Sequence, residues 1–523
     1  MTTLPAIDAL LWILGYTTRA ISSVAILLVT WILLSCVYNA LLHPLARVPG
    51  PWAASVSNIW LAWHVKNGRV AELGKTLHAR YGPAVRVGPN EIWFSSKEAF
   101  RTIYSSGSGF EKSEFYLATA LIRPLQVDGR LRVTWPDELD LLSEGDMKRY
   151  RVQRRLIGPV YRPNNVLRHE GSVDLVTKRV VKKLRSLQGN EIDLKEWMHL
   201  FVVECLGAVV VSWSPGMLDQ ESDRGTSVHA YNAWRRKSVL GLFPLVPKLE
   251  SLSMSIGRAF SVVWGINFDA PPKFRPFFPA VGQKIGQRIK VMKQGQKDAR
   301  TDIAADLVQL HQDRPEFTEA YLRKMTMTNF GAGHETMAST LTSLMTVLGE
   351  HPEIQQQLAD ELRQLNRYPS YNQADRTPIL HAVLKESRRL YPVVSMALPR
   401  VVPASGARLH GYDIPAGTTV GCNPVALHRN PDVCGPDPAS FEPSRWLGDE
   451  QRAKTMDMYS LGWGGGARSC PGRHLAEMMV WKMAVVLIRE FEICVEAPAE
   501  EEMPSYFLSI MTGVKARFQR REQ

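Results

Sequence analysis

The stretch Trp463-Gly464-Gly465-Gly466-Ala467-Arg468-Ser469-Cys470-Pro471-Gly472 gathers glycines, an arginine and a cysteine ahead of an apolar helical run, roughly Leu475–Glu490. Glycines let a backbone come close to a flat ligand and take up positive φ. A cysteine at a helix N-terminus lies at the positive end of the helix dipole, which favours the metal-ligating thiolate. Thiolate ligation pushes electron density onto heme iron and assists O–O cleavage. Arg468 carries a guanidinium fork suited to a heme carboxylate. Zinc would need two ligands beyond Cys470 and His474, and none of the six cysteines forms a CxxC pair. An inert cysteine in a glycine-rich turn is the plain alternative.

A second group is Ala332-Gly333-His334-Glu335-Thr336, inside a long helical stretch over residues 320–365. Glycine inside a helix costs about 1 kcal/mol relative to alanine. A gap beside a bound cofactor, leaving room for O2, would explain it. Thr336 could donate a hydrogen bond to that O2, and Glu335 could relay protons from solvent. In Glu386-Ser387-Arg388-Arg389 the acid and the last arginine share a helix face and can pair. Tyr150 and Arg154 share a face of the basic run 140–160, and Arg400 follows Pro399. Taken singly, these patterns equally describe a packing glycine, an exposed ion pair and a solvated basic face.

The elements that must hold these groups can be read coarsely. Residues 86–94 read as strand, turn and strand around Pro89-Asn90. Pro352 opens a helix after Glu350-His351, and a helix over 378–391 is stopped by Pro392. Short strands follow around 398–422, a glycine-rich loop runs from Gly462 to Gly472, and an apolar helix comes after it. Helices dominate with a few short strands, so the fold class is mainly α, an α-rich α+β arrangement.

The N-terminus reads as a membrane segment. Ala20–Leu42 is 23 residues without a formal charge, about 35 Å as a helix against a hydrocarbon core of roughly 30 Å. A cleaved signal peptide is the competing reading, but its apolar region is shorter. The earlier run Leu4–Thr18, broken by Asp8, reads as a second, interfacial piece. His43–Pro51 carries three prolines in eight residues from Pro44, which reads as a stiff, non-helical hinge. The division is therefore 1–43 anchor, 44–52 hinge and 53–523 catalytic body. The chain has 523 residues, 45% hydrophobic and 22% charged, with a net charge of +12. That balance suits a large core, and no nucleic-acid module accompanies the basic charge. A basic, cytosol-facing body suits an acidic protein partner.

Together the motifs resemble the cytochrome P450 family. The family's cysteine loop runs Phe-x-x-Gly-x-Arg-x-Cys-x-Gly; this chain matches at Gly466, Arg468, Cys470 and Gly472, with Trp463 in place of Phe. The family's Glu-x-x-Arg helix matches at Glu386 and Arg389, followed in order by Phe441-Glu442-Pro443-Ser444-Arg445-Trp446. Its Ala/Gly-Gly-x-Asp/Glu-Thr helix matches at Ala332–Thr336. The resemblance implies heme b as cofactor, Cys470 as axial ligand, and Trp463, Gly466 and Arg468 as its loop. It implies Tyr150, Arg154 and Arg400 as heme-propionate partners, and Glu335 and Thr336 as the catalytic pair. Glu386, Arg389 and Arg445 would form a buried structural network under the heme. It further implies an endoplasmic-reticulum anchor with a cytosolic body, electrons from NADPH-cytochrome P450 reductase or cytochrome b5, and oxidation of an apolar small molecule. The proline hinge and residues 81–90 are similar to fungal members of secondary metabolism, whose substrates are terpenoid, polyketide or alkaloid scaffolds. By the same analogy substrate contacts fall at 110–130, 238–270, Ala332, Val393–Leu398, Phe507, Leu508 and Ile510, with no clustered charge for an ionic substrate. A heme-thiolate enzyme of rearrangement or peroxide chemistry, and a non-catalytic heme-binding protein, are the alternatives; neither needs the Glu335-Thr336 pair.

Overall fold

The computed structural model describes residues 4–121, 127–128, 132, 139–266, 270, 274–296 and 300–521. The apolar N-terminal segment read as an anchor is helix α1, Leu4–Val37, extended by a π-helical turn Tyr38–Leu42. The run Leu4–Thr18 is therefore the first half of one helix and not a separate interfacial piece. Pro5 lies in the first turn, where its missing N–H costs nothing, and Gly15 alone costs too little to break the helix. Its 34 residues reach about 51 Å, well beyond a bilayer core.

The proline segment also departs from expectation. Pro44 opens a 3-10 turn, Pro44–Arg47, with the His43 ring accepting from the Leu45 amide at 3.2 Å. A proline at the first helical position gives up only an N–H that would be unpaired anyway. Leu45 and Val48 are buried in the body, so the hinge is docked.

The main sheet forms from β1 (Ala84–Gly88), β2 (Glu91–Phe94), β3 (Glu111–Lys112), β4 (Arg400–Val401) and β5 (Thr419–Cys422), in the order β1-β2-β5-β4-β3. β2 and β5 run parallel and the other neighbours antiparallel. The Pro89-Asn90 turn joins β1 to β2 as its turn residues require. Arg86 in β1 is buried, donating from Nη1 to the Asn39 carbonyl at 2.9 Å and from Nη2 to the Pro89 carbonyl at 2.7 Å. This one side chain clamps the end of the anchor to the sheet. Charge-assisted hydrogen bonds contribute about 1.5–3 kcal/mol each. Arg86→Met is expected to speed proteolysis within residues 43–51 by about tenfold or more in membrane-reconstituted protein; an unchanged cleavage rate would show that the clamp contributes nothing.

The helical layer is built around five helices: α2 (Met147–Ile157), α3 (Leu194–Val211), α4 (Thr226–Gly241), α5 (Glu319–Glu350) and α6 (Pro378–Leu390), with α7 (Arg473–Glu490) following the glycine-rich loop. α2 starts where the Asp146 carboxylate accepts the Arg149 amide, and α5 where the Thr318 hydroxyl accepts the Tyr321 amide, both N-caps. α3 is buried along nearly its whole length and packs on α5. The apolar faces of α3, α5 and α7 meet in the larger core cluster, and the sheet carries a second one.

Candidate active site

The cysteine loop rests on the sheet side of the molecule through the end of helix Lys97–Tyr104. Gly466 has φ +60°, and a Cβ there would collide with the Tyr104 carbonyl oxygen. At Gly465 a Cβ would lie 2.8 Å from the Tyr104 Cβ. At both positions the missing Cβ makes room for Tyr104. Tyr104 is itself pinned, donating from its hydroxyl to the Leu398 carbonyl and accepting from the Cys422 amide, both at 2.9 Å. Nothing in the sequence singles this tyrosine out.

Within the loop the Cys470 amide donates to the Trp463 carbonyl at 2.8 Å. α2 ties the loop from the other side: Tyr150 donates to the Ala467 carbonyl at 3.2 Å and Arg154 to the Ser469 carbonyl at 2.9 Å. Both residues therefore shape the loop through its backbone. Trp463 stacks under Arg388 at 5.2 Å and near Arg473 at 5.9 Å from its ring centroid, a cation–π contact that Phe would make more weakly. The Cys470 side chain remains open, although the elements around it belong to the core. Burial raises its thiol pKa, against the pull of a Gly472 hydrogen bond and of Arg154.

A cluster of cations lies beside the loop. Lys112 and Arg400 are directly opposite one another across β3 and β4, an arrangement that is destabilising for like charges. Arg400 is buried, donating to the Pro399 carbonyl at 3.1 Å and the Tyr116 hydroxyl at 3.3 Å. Lys112 donates to the Leu141 and Leu142 carbonyls at 2.9 and 2.5 Å. Burial, then Arg400 and Arg468, pull the Lys112 ammonium well below its ordinary pKa. Arg468 donates at 2.6 Å to each of the Glu144 and Gly145 carbonyls, while its buried Nε has no partner among the described residues. A cavity of about 130 Å³ opens between Arg400, Arg468 and the Ile103–Gly109 segment. Self-repelling cations with an orphaned donor, next to an open thiol, fit a group that brings both carboxylates and a metal. Lys112 was not legible from sequence, because only the strand register brings it to Arg400.

On α5, Thr336 and Glu335 are about 100° apart around the helix. Thr336 lies on the open side, its hydroxyl donating to the Ala332 carbonyl at 2.7 Å. Glu335 is buried on the other side, 3.2 Å from the ring of His199 on α3, whose Nε2 meets the Thr226 hydroxyl at 2.9 Å. Glu335 keeps its carboxyl pKa below the usual value: burial opposes ionisation, but His199, Lys195 and His334 outweigh it. Burial holds His334 down to about 4. The missing Cβ of Gly333 faces Leu206 of α3 at 3.2 Å, and that of Gly331 faces Leu121 at 3.1 Å. On the Cβ side of both glycines the space is taken by packing against these leucines.

The third group comes together as the sequence indicated. Glu386 receives Arg389 through two 2.8 Å hydrogen bonds and Arg445 through a 3.3 Å ion pair, all buried. The Trp446 indole donates to Glu386 at 2.9 Å and the Glu442 amide at 3.0 Å. Arg389 also holds the His428 carbonyl, and the His428 ring accepts the Leu461 amide at 2.9 Å. The network thus reaches the entrance of the cysteine loop. Trp446 was not anticipated as part of it.

Phe507, Trp234 and Phe115 form one aromatic cluster, with centroid distances of 5.3 and 5.7 Å to Phe507. It joins two of the segments read as substrate contacts. Parts of those segments, residues 122–126, 129–130 and 267–269, lie outside the described residues.

Comparison with known proteins agrees with this geometry. The family model described as cytochrome P450 matches residues 128–516. "Cytochrome P450 monooxygenase sdnT" of Sordaria araneosa is 50% identical, covering 92% of each chain. "Cytochrome P450 monooxygenase gsfF" of Penicillium aethiopicum is 28% identical over 94% of this chain and 95% of its own. "Pisatin demethylase" of Fusarium vanettenii is 28% identical over 90% and 89%. With an open cysteine on a pinned glycine loop, a buried Glu-Arg-Arg network and a family match over most of its length, this chain belongs to the cytochrome P450 monooxygenases, enzymes that carry heme b on a cysteine thiolate.

Proposed function

We propose that the protein oxidises an apolar small molecule of fungal secondary metabolism at a heme held by Cys470, with electrons from an NADPH-dependent reductase. The observation that carries this reading is the open Cys470 thiol beside the self-repelling cations Lys112, Arg400 and Arg468. Cys470 ligates the iron, and those three cations receive the two propionates. Tyr150 and Arg154 act one step removed, by holding the loop carbonyls. Bound there, the heme supplies reductive activation of O2 and oxidation of a C–H bond. Thr336 orients a proton at its hydroxyl on the open face of α5, and Glu335 exchanges protons with the His199 side. The basic helix α2, with Lys148, Arg151 and Arg155 exposed, offers charge to an acidic reductase.

Residues 1–43 form the anchor, 44–52 the docked hinge and 53–523 the catalytic domain. The endoplasmic reticulum is the proposed membrane. Exposed apolar side chains support membrane contact by the body itself. They include Trp52 and Trp63 near the hinge and Leu252, Met254, Val262 and Val263 on helices Leu245–Leu252 and Met254–Trp264. A soluble body rarely exposes so much apolar surface in one region.

The test is a reduced, carbon-monoxide-bound absorbance spectrum of wild type and Cys470→Ser, followed by turnover with purified reductase. A strongly red-shifted Soret band lost in the serine variant is expected; a band indifferent to Cys470 removes the assignment. Thr336→Ala is expected to keep that band and to cut product per NADPH consumed by about tenfold or more, the difference appearing as peroxide. Undiminished coupling would take Thr336 out of proton delivery.

A further inference from the structure

Three consecutive basic residues on α4 have different fates. Arg235 donates to the Lys66 carbonyl at 2.9 Å, and Arg236 is paired with Glu250 and the Ser261 hydroxyl at 2.6 and 2.8 Å. Lys237 turns inward. Among the described residues its one hydrogen-bond acceptor is the Thr119 carbonyl at 3.4 Å, long for an ammonium, and it lies 5.2 Å from the Trp234 ring centroid. Among the described residues no carboxylate forms an ion pair with it. The acid whose charge acts on it is Asp140, whose oxygens accept the Leu121, Leu142 and Ser143 amides at 3.1, 2.9 and 3.1 Å.

That ammonium lies among segments that the family resemblance assigns to substrate contact. Trp234, one turn earlier on α4, stacks on Phe507, and Gly241, one turn later, abuts the Phe115 ring. Two residues beyond Thr119, Leu121 packs on Gly331 of α5, next to Ala332. Burial pulls the Lys237 ammonium below its ordinary pKa, and its charge is felt at His334 on α5. An ammonium has three donors, and among the described residues a single, long hydrogen bond uses one of them.

We infer that Lys237 is an anion-recognition site in the substrate chamber, which takes the carboxylate of an otherwise apolar substrate. The inference rests on the heme-thiolate reading above and narrows its substrate class, against the expectation of a wholly uncharged ligand. A carboxylate would supply the acceptors that Lys237 lacks, while the Phe115, Trp234 and Phe507 rings cover its apolar body.

The test uses heme-loaded full-length protein and optical titration of the Soret band with straight-chain fatty acids of ten to sixteen carbons and with their methyl esters. Wild type is expected to bind the acids about tenfold or more tightly than the esters. Lys237→Met should erase that preference while leaving ester affinity in place, and Lys237→Arg should restore part of it. Equal affinity for acid and ester in wild type, a preference that survives Lys237→Met, or a chamber that admits esters and rejects acids overturns the inference. Failure of the underlying reading looks different. It would remove the thiolate-type carbon-monoxide band from wild type, whereas failure here leaves that band intact and only the acid preference missing.

Discussion

Glu386→Ala is expected to destabilise the folded chain by about 3–5 kcal/mol, the range for removing one partner of a buried ion pair, and to leave little protein that retains heme. Glu386 is fully buried and collects Arg389, Arg445, the Trp446 indole and the Glu442 amide. Alanine would strand two guanidinium groups with no compensating charge. Total stabilities are about 5–15 kcal/mol, so the loss consumes a large share. The damage should spread along a defined route, from Arg389 through the His428 carbonyl and ring to the Leu461 amide at the mouth of the cysteine loop. Thermal unfolding of detergent-purified variants, read beside heme content, checks this. Arg388→Ala, one residue from Arg389 and outside the network, gives up a single cation–π contact with Trp463 of the loop and is the contrast. If Glu386→Ala unfolds no earlier than Arg388→Ala, the network is not what holds the loop.

The parts of this site legible in the sequence were those written at short range. The Glu386–Arg389 pair is fixed by helical spacing, and the cysteine loop is a contiguous string whose register needs no knowledge of the fold. Helix boundaries were legible where a proline marks them, as at Pro352, which opens helix Pro352–Arg363, and in the helix read over 378–391, which runs Pro378–Leu390. What escaped depends on contacts between distant segments. Lys112 meets Arg400 only because two two-residue strands pair in one register. His199 meets Glu335 only because α3 packs on α5. Tyr104 and Lys237 carry no local signal at all. The glycines were recognised, but not the neighbour, Tyr104, against which Gly465 and Gly466 pack.

That last point yields the second large effect. Gly466→Ala is expected to reduce thiolate-ligated heme by at least about tenfold, through two costs that add. A residue with a Cβ at φ +60° loses about 1–2 kcal/mol, and overpacking a tight contact costs about 1–3 kcal/mol more. The colliding atom is the Tyr104 carbonyl oxygen, backbone that cannot rotate aside. Tyr104 cannot retreat either, since its hydroxyl is fixed to Leu398 and Cys422 across the sheet. The loop must therefore move, and with it the Trp463 carbonyl that receives the Cys470 amide. Gly472 is the discriminating control. It belongs to the same motif but has φ −83°, and the nearest atom to an added Cβ is the Cys470 sulfur at 3.9 Å. Gly472→Ala should retain most of the carbon-monoxide band of wild type. If instead the two alanines are equally damaging, the motif's glycines are there for the heme's approach, and the packing of the loop against Tyr104 is incidental.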